Sequence, residues 1–297
     1  MKTFALIGVG RWGKNIVSTL ETLPEARLKY LSARTAKSLA PYPEKFEKLE
    51  DWRELLQKED LDAVLIATPP STHAEIAISF LEQGIAVFVE KPMVLSLSEA
   101  RKLKKVVRES GTVFMVSYQY LYNDYINYLK KEIESGSFGK IIEVTSEHRV
   151  SPSRPDVDIF WDAGPHPLSI FQYFFAPEKL ISAKGKIEHD SASVKVKFEN
   201  APELHITASC FGNTKTRKLT LRGEKATAVL DETLEKDKLV ITKNGKTTYP
   251  EINFSQPLRN ELEHFIACIQ TGATPLTNVD FGCRITEWLE TISRVDS

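Results

Sequence analysis

Short, wholly apolar runs in the first 118 residues alternate with longer stretches whose apolar positions recur every three or four residues. Residues 4–9, 28–32, 63–67, 86–90 and 113–117 read as strands. Between them, residues 14–23, 52–57, 72–83 and 98–110 carry helical spacing, with Ile16, Val17 and Leu20 on one side of the first and Leu103, Val106 and Val107 on one side of the last. Gly111 marks the stop of that last helix. Strands apolar on both faces, alternating with amphipathic helices, predict a parallel sheet covered on both sides. Residues 1–118 are therefore expected to form a doubly wound α/β domain.

After Tyr118 the pattern changes. Residues 123–135 predict a helix ended by Gly136, and strand-like runs follow at 140–150, 181–188, 192–198, 203–211, 217–222, 226–230 and 238–242. Apolar and polar residues alternate along Val194-Lys195-Val196-Lys197-Phe198 and Lys218-Leu219-Thr220-Leu221-Arg222, the period-two mark of a sheet with one solvated face. Asn244-Gly245 between two such runs is a hairpin signal. Two helices, 258–271 and 280–292, close the chain. Residues 119–297 are expected as an α+β domain with a large, mostly antiparallel open sheet, its C-terminal helices free to pack back on the first domain.

Length and composition agree with this picture: 297 residues at about 150 per domain suggest two domains. With 42% hydrophobic and 27% charged residues, the chain is neither disordered nor collagen-like. Thirty-nine basic against 40 acidic residues leave a net charge of −1, which gives no electrostatic reason to expect nucleic acid or an anionic membrane as partner. A small-molecule substrate is expected instead. Cys210, Cys268 and Cys283 are too few and too scattered for a disulfide framework or a CxxC metal site, which fits a reducing cytoplasm. The N-terminal apolar run is stopped early by Gly8, and no stretch reaches the roughly 18 apolar residues of a membrane span, so a soluble, unprocessed chain is expected.

Gly8-Val9-Gly10-Arg11-Trp12-Gly13 directly follows the first strand and opens the first helix. In that context a G-x-G-x-x-G pattern permits a tight turn, close approach of backbone to a pyrophosphate and packing of helix on strand, with the phosphates at the helix N-terminus. An ordinary glycine-rich turn is the plainer reading, but the position at the head of an α/β half favours dinucleotide binding. About 20 residues on, Leu31-Ser32-Ala33-Arg34-Thr35 offers no carboxylate for a ribose 2′-hydroxyl. Unless they are merely solvated loop residues, Ser32 and Arg34 suit a 2′-phosphate and favour NADP over NAD. Thr68, Pro69 and His73 after the next strand, and Glu90-Lys91-Pro92 after the following one, lie at strand ends where open α/β sheets bind their ligands. His73 opens a helix and has the alternative of a cap.

In the second half, Phe160-Trp161-Asp162-Ala163-Gly164-Pro165-His166-Pro167 precedes an apolar run. The two prolines predict that a helix begins here, with Asp162 and His166 four apart on one face. A helix N-terminus disfavours imidazolium, so His166 would be neutral and able to accept a proton. A capping aspartate with a satisfied histidine and a catalytic dyad are equally open on these residues alone. Asp156, Asp158 and Asp162 read as a solvated acidic loop, so no metal is expected. Arg149 or Arg154 are candidates for an anionic substrate group, against ordinary surface charge.

Taken together, these segments resemble the Gfo/Idh/MocA oxidoreductase family, with Glu90-Lys91-Pro92 as the most specific match. The stretch Pro257-Leu258-Arg259-Asn260-Glu261-Leu262-Glu263-His264-Phe265-Ile266, continuing through Gly272, Pro275 and Thr277, is a fifth point of similarity. The resemblance implies an N-terminal Rossmann domain and a C-terminal sheet that mediates a homodimer or homotetramer. It further implies NAD(P)-dependent hydride transfer at a hydroxyl-bearing carbon of a sugar, cyclitol or nucleotide-sugar-like substrate. By position, Lys91 would hydrogen-bond the reacting oxygen, His166 would exchange the proton, and Asp162 would orient substrate. Glu90 would contact the nicotinamide-side ribose, Trp12 would line the cofactor groove, and Lys91-Pro92 would be a cis peptide.

Where many members carry an aspartate directly after this histidine or three residues on, the chain has Pro167 and Ser169, and Leu121-Tyr122-Asn123-Asp124 replaces a frequent Arg-Phe-Asn-Pro stretch. The Trp161-Asp162 and Ser169-Ile170 flanks are closer to the nucleotide-sugar and amino-sugar branch. A non-catalytic NADP-binding sensor or co-regulator of the same fold is the alternative, disfavoured because lysine, aspartate and histidine are all retained.

Overall fold

A computed structural model of the chain describes residues 1–149, 156–211 and 214–295. Val150, the end of the expected strand 140–150, and Arg154 lie outside the described residues. The chain divides into two compact units: Met1–Gln119 with Gln256–Thr286, and Tyr120–Ser255 with Glu287–Ser297.

In the first unit the order is β1 (Lys2–Ile7), α1 (Arg11–Leu20), β2 (Ala26–Ser32), α2 (Ala36–Leu39), β3 (Glu47–Leu49), β4 (Ala63–Ile66), α3 (His73–Leu81), β5 (Ala86–Glu90), α4 (Leu97–Ser110) and β6 (Phe114–Ser117). The six strands form one sheet in the order β3-β2-β1-β4-β5-β6, every neighbouring pair parallel. All four residues of β4 and all five of β5 are buried, as continuously apolar strands must be when helices cover both faces. Ser96 caps α4 through the Glu99 amide while donating to the Glu99 carboxylate, and Gly111 ends the helix at φ 63°. The strand order reverses between β1 and β4, so the connections leaving their C-terminal ends diverge and open a crevice there.

The second unit contains α5 (Asp124–Glu134), β7 (Ile141–Arg149), α6 (Ile159–Ala163), α7 (Pro165–Phe175), β8 (Leu180–Ile187), β9 (Ser191–Phe198), β10 (Glu203–Ser209), β11 (Thr216–Gly223), β12 (Ala226–Asp231), β13 (Leu239–Lys243) and β14 (Lys246–Thr248). Its sheet runs β14-β13-β12-β11-β7-β10-β9-β8 and is antiparallel except where β7 and β10 pair. The alternation in β9 is realised: Ala192, Val194, Val196 and Phe198 are buried, and Lys195 and Lys197 are exposed. Phe171 of α7 stacks on Phe198 with ring centroids 4.8 Å apart, which places α7 on the apolar face. Asn244 and Gly245 adopt φ 50° and 73°, the double left-handed geometry of a tight hairpin turn.

Helices α8 (Pro257–Thr271) and α9 (Val279–Ile292) end the chain. Residues 256–286 belong to the first unit. Phe265 of α8 meets Phe4 and Phe88 of the parallel sheet at 6.4 and 5.5 Å. Thr277, in the connection to α9, covers the open edge of β6: the Val116 amide donates to its carbonyl at 2.8 Å and its hydroxyl donates to the Val116 carbonyl at 2.6 Å.

Candidate active site

At the end of β1 three glycines have three different spatial reasons. Gly8 has φ 96° and donates its N–H to the Ser32 carbonyl at 2.8 Å, and a Cβ there would stand 2.5 Å from the Ala67 carbonyl oxygen. A Cβ on Gly13 would stand 2.2 Å from the Gly8 carbonyl oxygen, so α1 packs on its own entry loop only without a side chain. Gly10 is the opposite case, because its Cβ would meet nothing within 4 Å. It is the N-cap of α1, with no side-chain cap and no acidic residue in the first turn, so the positive end of the ten-residue helix opens onto unfilled space. That arrangement fits a pyrophosphate. Arg11 is exposed beside it, Ser32 is buried at the end of β2, and Arg34 is exposed two residues on.

The connection after β4 carries Thr68, whose hydroxyl pairs with that of Thr72 at 2.7 Å, and exposed Pro69. His73, expected among the cofactor contacts, is wholly buried. Its Nδ1 lies 3.1 Å from the Pro92 carbonyl oxygen and its Nε2 lies 2.9 Å from that of Thr68. It therefore ties the loop after β4 to the loop after β5 instead of facing a ligand. The Lys91-Pro92 peptide is cis, and Lys91 is half-buried.

Glu90, the last residue of β5, accepts a 2.5 Å hydrogen bond from the Trp12 indole N–H. Burial pushes its carboxyl up to about 7, against the opposing pull of Trp12, Lys91 and Ser117. Behind it lies a residue that the sequence quoted only as part of a motif. Glu261 of α8 is fully buried, with its Oε2 3.2 Å from the Ser117 hydroxyl, and burial followed by the nearby Glu90 charge pushes its carboxyl well above the usual range.

In the second unit, the single helix expected around the Gly-Pro-His segment is two helices, α6 and α7, joined by Gly164 in right-handed helical geometry. A Cβ on Gly164 would stand 2.5 Å from the Phe160 carbonyl oxygen, which explains the glycine at the joint. Asp162 thus lies in the last turn of α6 and His166 in the first turn of α7, both half-buried. Asp158 caps α6 by accepting from the Trp161 amide at 2.9 Å. The His166 ring stacks on His148 of β7 at 5.6 Å and meets Tyr120 edge-on at 4.9 Å. The Tyr120 hydroxyl stands 3.5 Å from His148 Nε2 and lies near the Glu232 carboxylate, which accepts from the Asn123 side-chain amide at 2.8 Å. Burial, then the Glu232 charge, holds the Tyr120 hydroxyl well above its ordinary range, so it stays a donor. Arg149 is exposed at the end of β7.

The parallel fold and the glycine cradle define a dinucleotide-binding domain. Residues 2–118 match the model of the GFO_IDH_MocA oxidoreductase family, with its NAD-binding Rossmann fold. The chain is 28% identical to the scyllo-inositol 2-dehydrogenase (NAD(+)) of Bacillus subtilis (strain 168), over 93% of this chain and 89% of the relative. It is 26% identical to the inositol 2-dehydrogenase of Rhizobium meliloti (strain 1021), over 91% and 89% of the two. KijD10, a 3-ketoreductase from Actinomadura kijaniata solved with TDP-benzene and NADP, shares the fold at a TM-score of 0.88 and 17% identity, covering 99% of this chain and 97% of that one. Over residues 2–118 the chain thus matches the NAD-binding domain of the Gfo/Idh/MocA oxidoreductases, and along most of its length it is similar to NAD(P)-dependent dehydrogenases. Among the described residues, no helix is long and apolar enough to cross a membrane.

Proposed function

We propose that the protein oxidises or reduces a hydroxyl-bearing carbon of a small polyhydroxy compound, a sugar, cyclitol or nucleotide-sugar-like molecule. The observation that carries this is the cradle at Gly8, Gly10 and Gly13 leading by Trp12 and Glu90 to Lys91. The names of the inositol dehydrogenase relatives support the substrate class. Bound in the cradle, a nicotinamide dinucleotide supplies a hydride donor or acceptor. Gly10 and the first turn of α1 hold its pyrophosphate, Thr68 and Pro69 border the crevice, and Glu90, steadied by Trp12, meets the ribose. Lys91 hydrogen-bonds the reacting oxygen and stabilises developing alkoxide charge. His166 takes up or gives the hydroxyl proton, a step worth typically about 10²–10⁴-fold. Asp162 orients the substrate, and Tyr120 with His148 holds the His166 ring in place.

Ser32 and Arg34, with no carboxylate after β2, support a preference for NADP. Arg34→Asp should weaken NADPH about tenfold or more and leave NADH within about threefold; equal losses in the two dissociation constants would refute the preference. Activity is tested with a panel of polyols, sugars and nucleotide sugars with NADP⁺ and NAD⁺, and of the matching ketones with NADPH and NADH, followed at the nicotinamide absorbance. The proposal expects turnover with a polyhydroxy substrate in at least one direction. Tight dinucleotide binding without turnover on any of them would favour a sensor.

A further inference from the structure

The inward face of the second unit's sheet turns polar at one end. On β11, Leu221 and Leu219 are buried opposite Val144 and Ser146 of β7, and the next inward position is Arg217, opposite His148. Directly opposed residues of an antiparallel pair share a face, with Cβ atoms about 5 Å apart. Arg217 and His148 therefore stand side by side, and the His148 ring stacks on that of His166 at 5.6 Å. Arg149, which the sequence offered for an anionic group, falls on the opposite face by the same alternation and is exposed.

An arginine on this face calls for a partner, because charged side chains are rarely buried unpaired and a buried N–H without an acceptor costs free energy. Arg217 is half-buried, and its Nε is fully buried without a hydrogen-bond partner. Its neighbour across the ladder is Glu232, whose backbone N–H donates to the Arg217 carbonyl oxygen at 2.9 Å. The Glu232 carboxylate accepts from the Asn123 side-chain amide at 2.8 Å, and among the described residues it feels the Arg217 charge without forming an ion pair with it. The guanidinium thus keeps an unmet donor on the edge where Nε–H and an Nη–H can together grip two oxygens.

We propose that Arg217 binds a carboxylate carried by the substrate, so that the compound oxidised or reduced beside His166 is a polyhydroxy acid, such as a uronate or aldonate. This rests on the reading of His166 as the group that exchanges the proton at the reacting carbon. A carboxylate presents two coplanar oxygens to Nε–H and Nη–H, whereas a hydroxyl presents one. Phosphate offers the same pair of oxygens, and the experiment separates the two.

Hexuronates, hexonates, the amides of each and hexose 6-phosphates are titrated into the protein with and without NADP⁺ by calorimetry, and their turnover is followed at the nicotinamide absorbance. At least one acid should bind about tenfold or more tighter than its own amide. Arg217→Gln should bring the two dissociation constants within about threefold of each other. Arg217→Lys, which keeps the charge and loses the fork, should retain only part of the preference, and it carries the test if thermal unfolding shows that Arg217→Gln does not fold. Equal affinity for every acid and its amide, or a preference that survives both variants unchanged, would overturn the proposal. Tighter binding of a 6-phosphate than of any acid would overturn the carboxylate assignment. An Arg217-dependent preference for an acid without turnover of any compound would leave the anion site standing and remove the reading of His166 as the reacting centre.

Discussion

Glu90 and Glu261 stand at the end of a parallel strand and in the second turn of a helix more than 160 positions later, and their burial together has a cost that depends on pH. Between the ordinary carboxylate range and about 7, the folded chain holds a proton on Glu90 that the unfolded chain has released. Folding stability is therefore fullest at the acid end of this window and falls as pH rises through it. From pH 5 to 8 this one group should remove roughly 2 kcal/mol of unfolding free energy, and Glu90→Gln should abolish that part of the slope. Urea unfolding at the two pH values measures it; parallel slopes for the two proteins would contradict the assignment. Neither Glu261 nor the Tyr120–Glu232 contact was legible as chemistry in the sequence, because the partners lie 144 and 112 positions apart and share no motif. The roles proposed for Gly10, Lys91 and His166 start from short runs that stand together in the sequence, the last two with the family resemblance to give them meaning.

At the scale of elements, the β1–α1 junction separates a packing role from a binding role within six residues. Gly13→Ala forces a methyl carbon against the Gly8 carbonyl and should cost about 3 kcal/mol of stability. Gly10→Ala meets open space, so its stability should stay within about 0.5 kcal/mol of wild type while dinucleotide affinity falls at least about tenfold. Thermal unfolding with and without NADPH distinguishes the two, and a Gly10→Ala protein of normal affinity would remove the pyrophosphate from this loop. Long periodic elements such as α4 and α5 were readable from spacing and end signals alone. Strand β3 and helix α2, of three and four residues, were not, since such lengths are too short to show a period. The start of α7 at Pro165 was announced by the prolines, but the five-residue α6 before it was not, being likewise too short to show a period.

Across the whole molecule, the change from continuous to alternating apolar runs near residue 118 announced two kinds of sheet, while residues 256–286 return to the first unit. That return depends on Phe265 finding Phe4 and Phe88 and on Thr277 finding the edge of β6, contacts that span most of the chain. The eight-stranded sheet of the second unit, with helices on its apolar side, is proposed to join copies of the chain through its other face. Sedimentation should then report a dimer or tetramer, and a monomer at micromolar concentration would contradict it. The central claim, that this is an oxidoreductase working through His166, is tested most directly by His166→Ala. Turnover of whichever polyhydroxy substrate wild type accepts should fall by at least about 10²-fold with the NADPH dissociation constant unchanged. A His166→Ala enzyme that turns over like wild type would contradict the account.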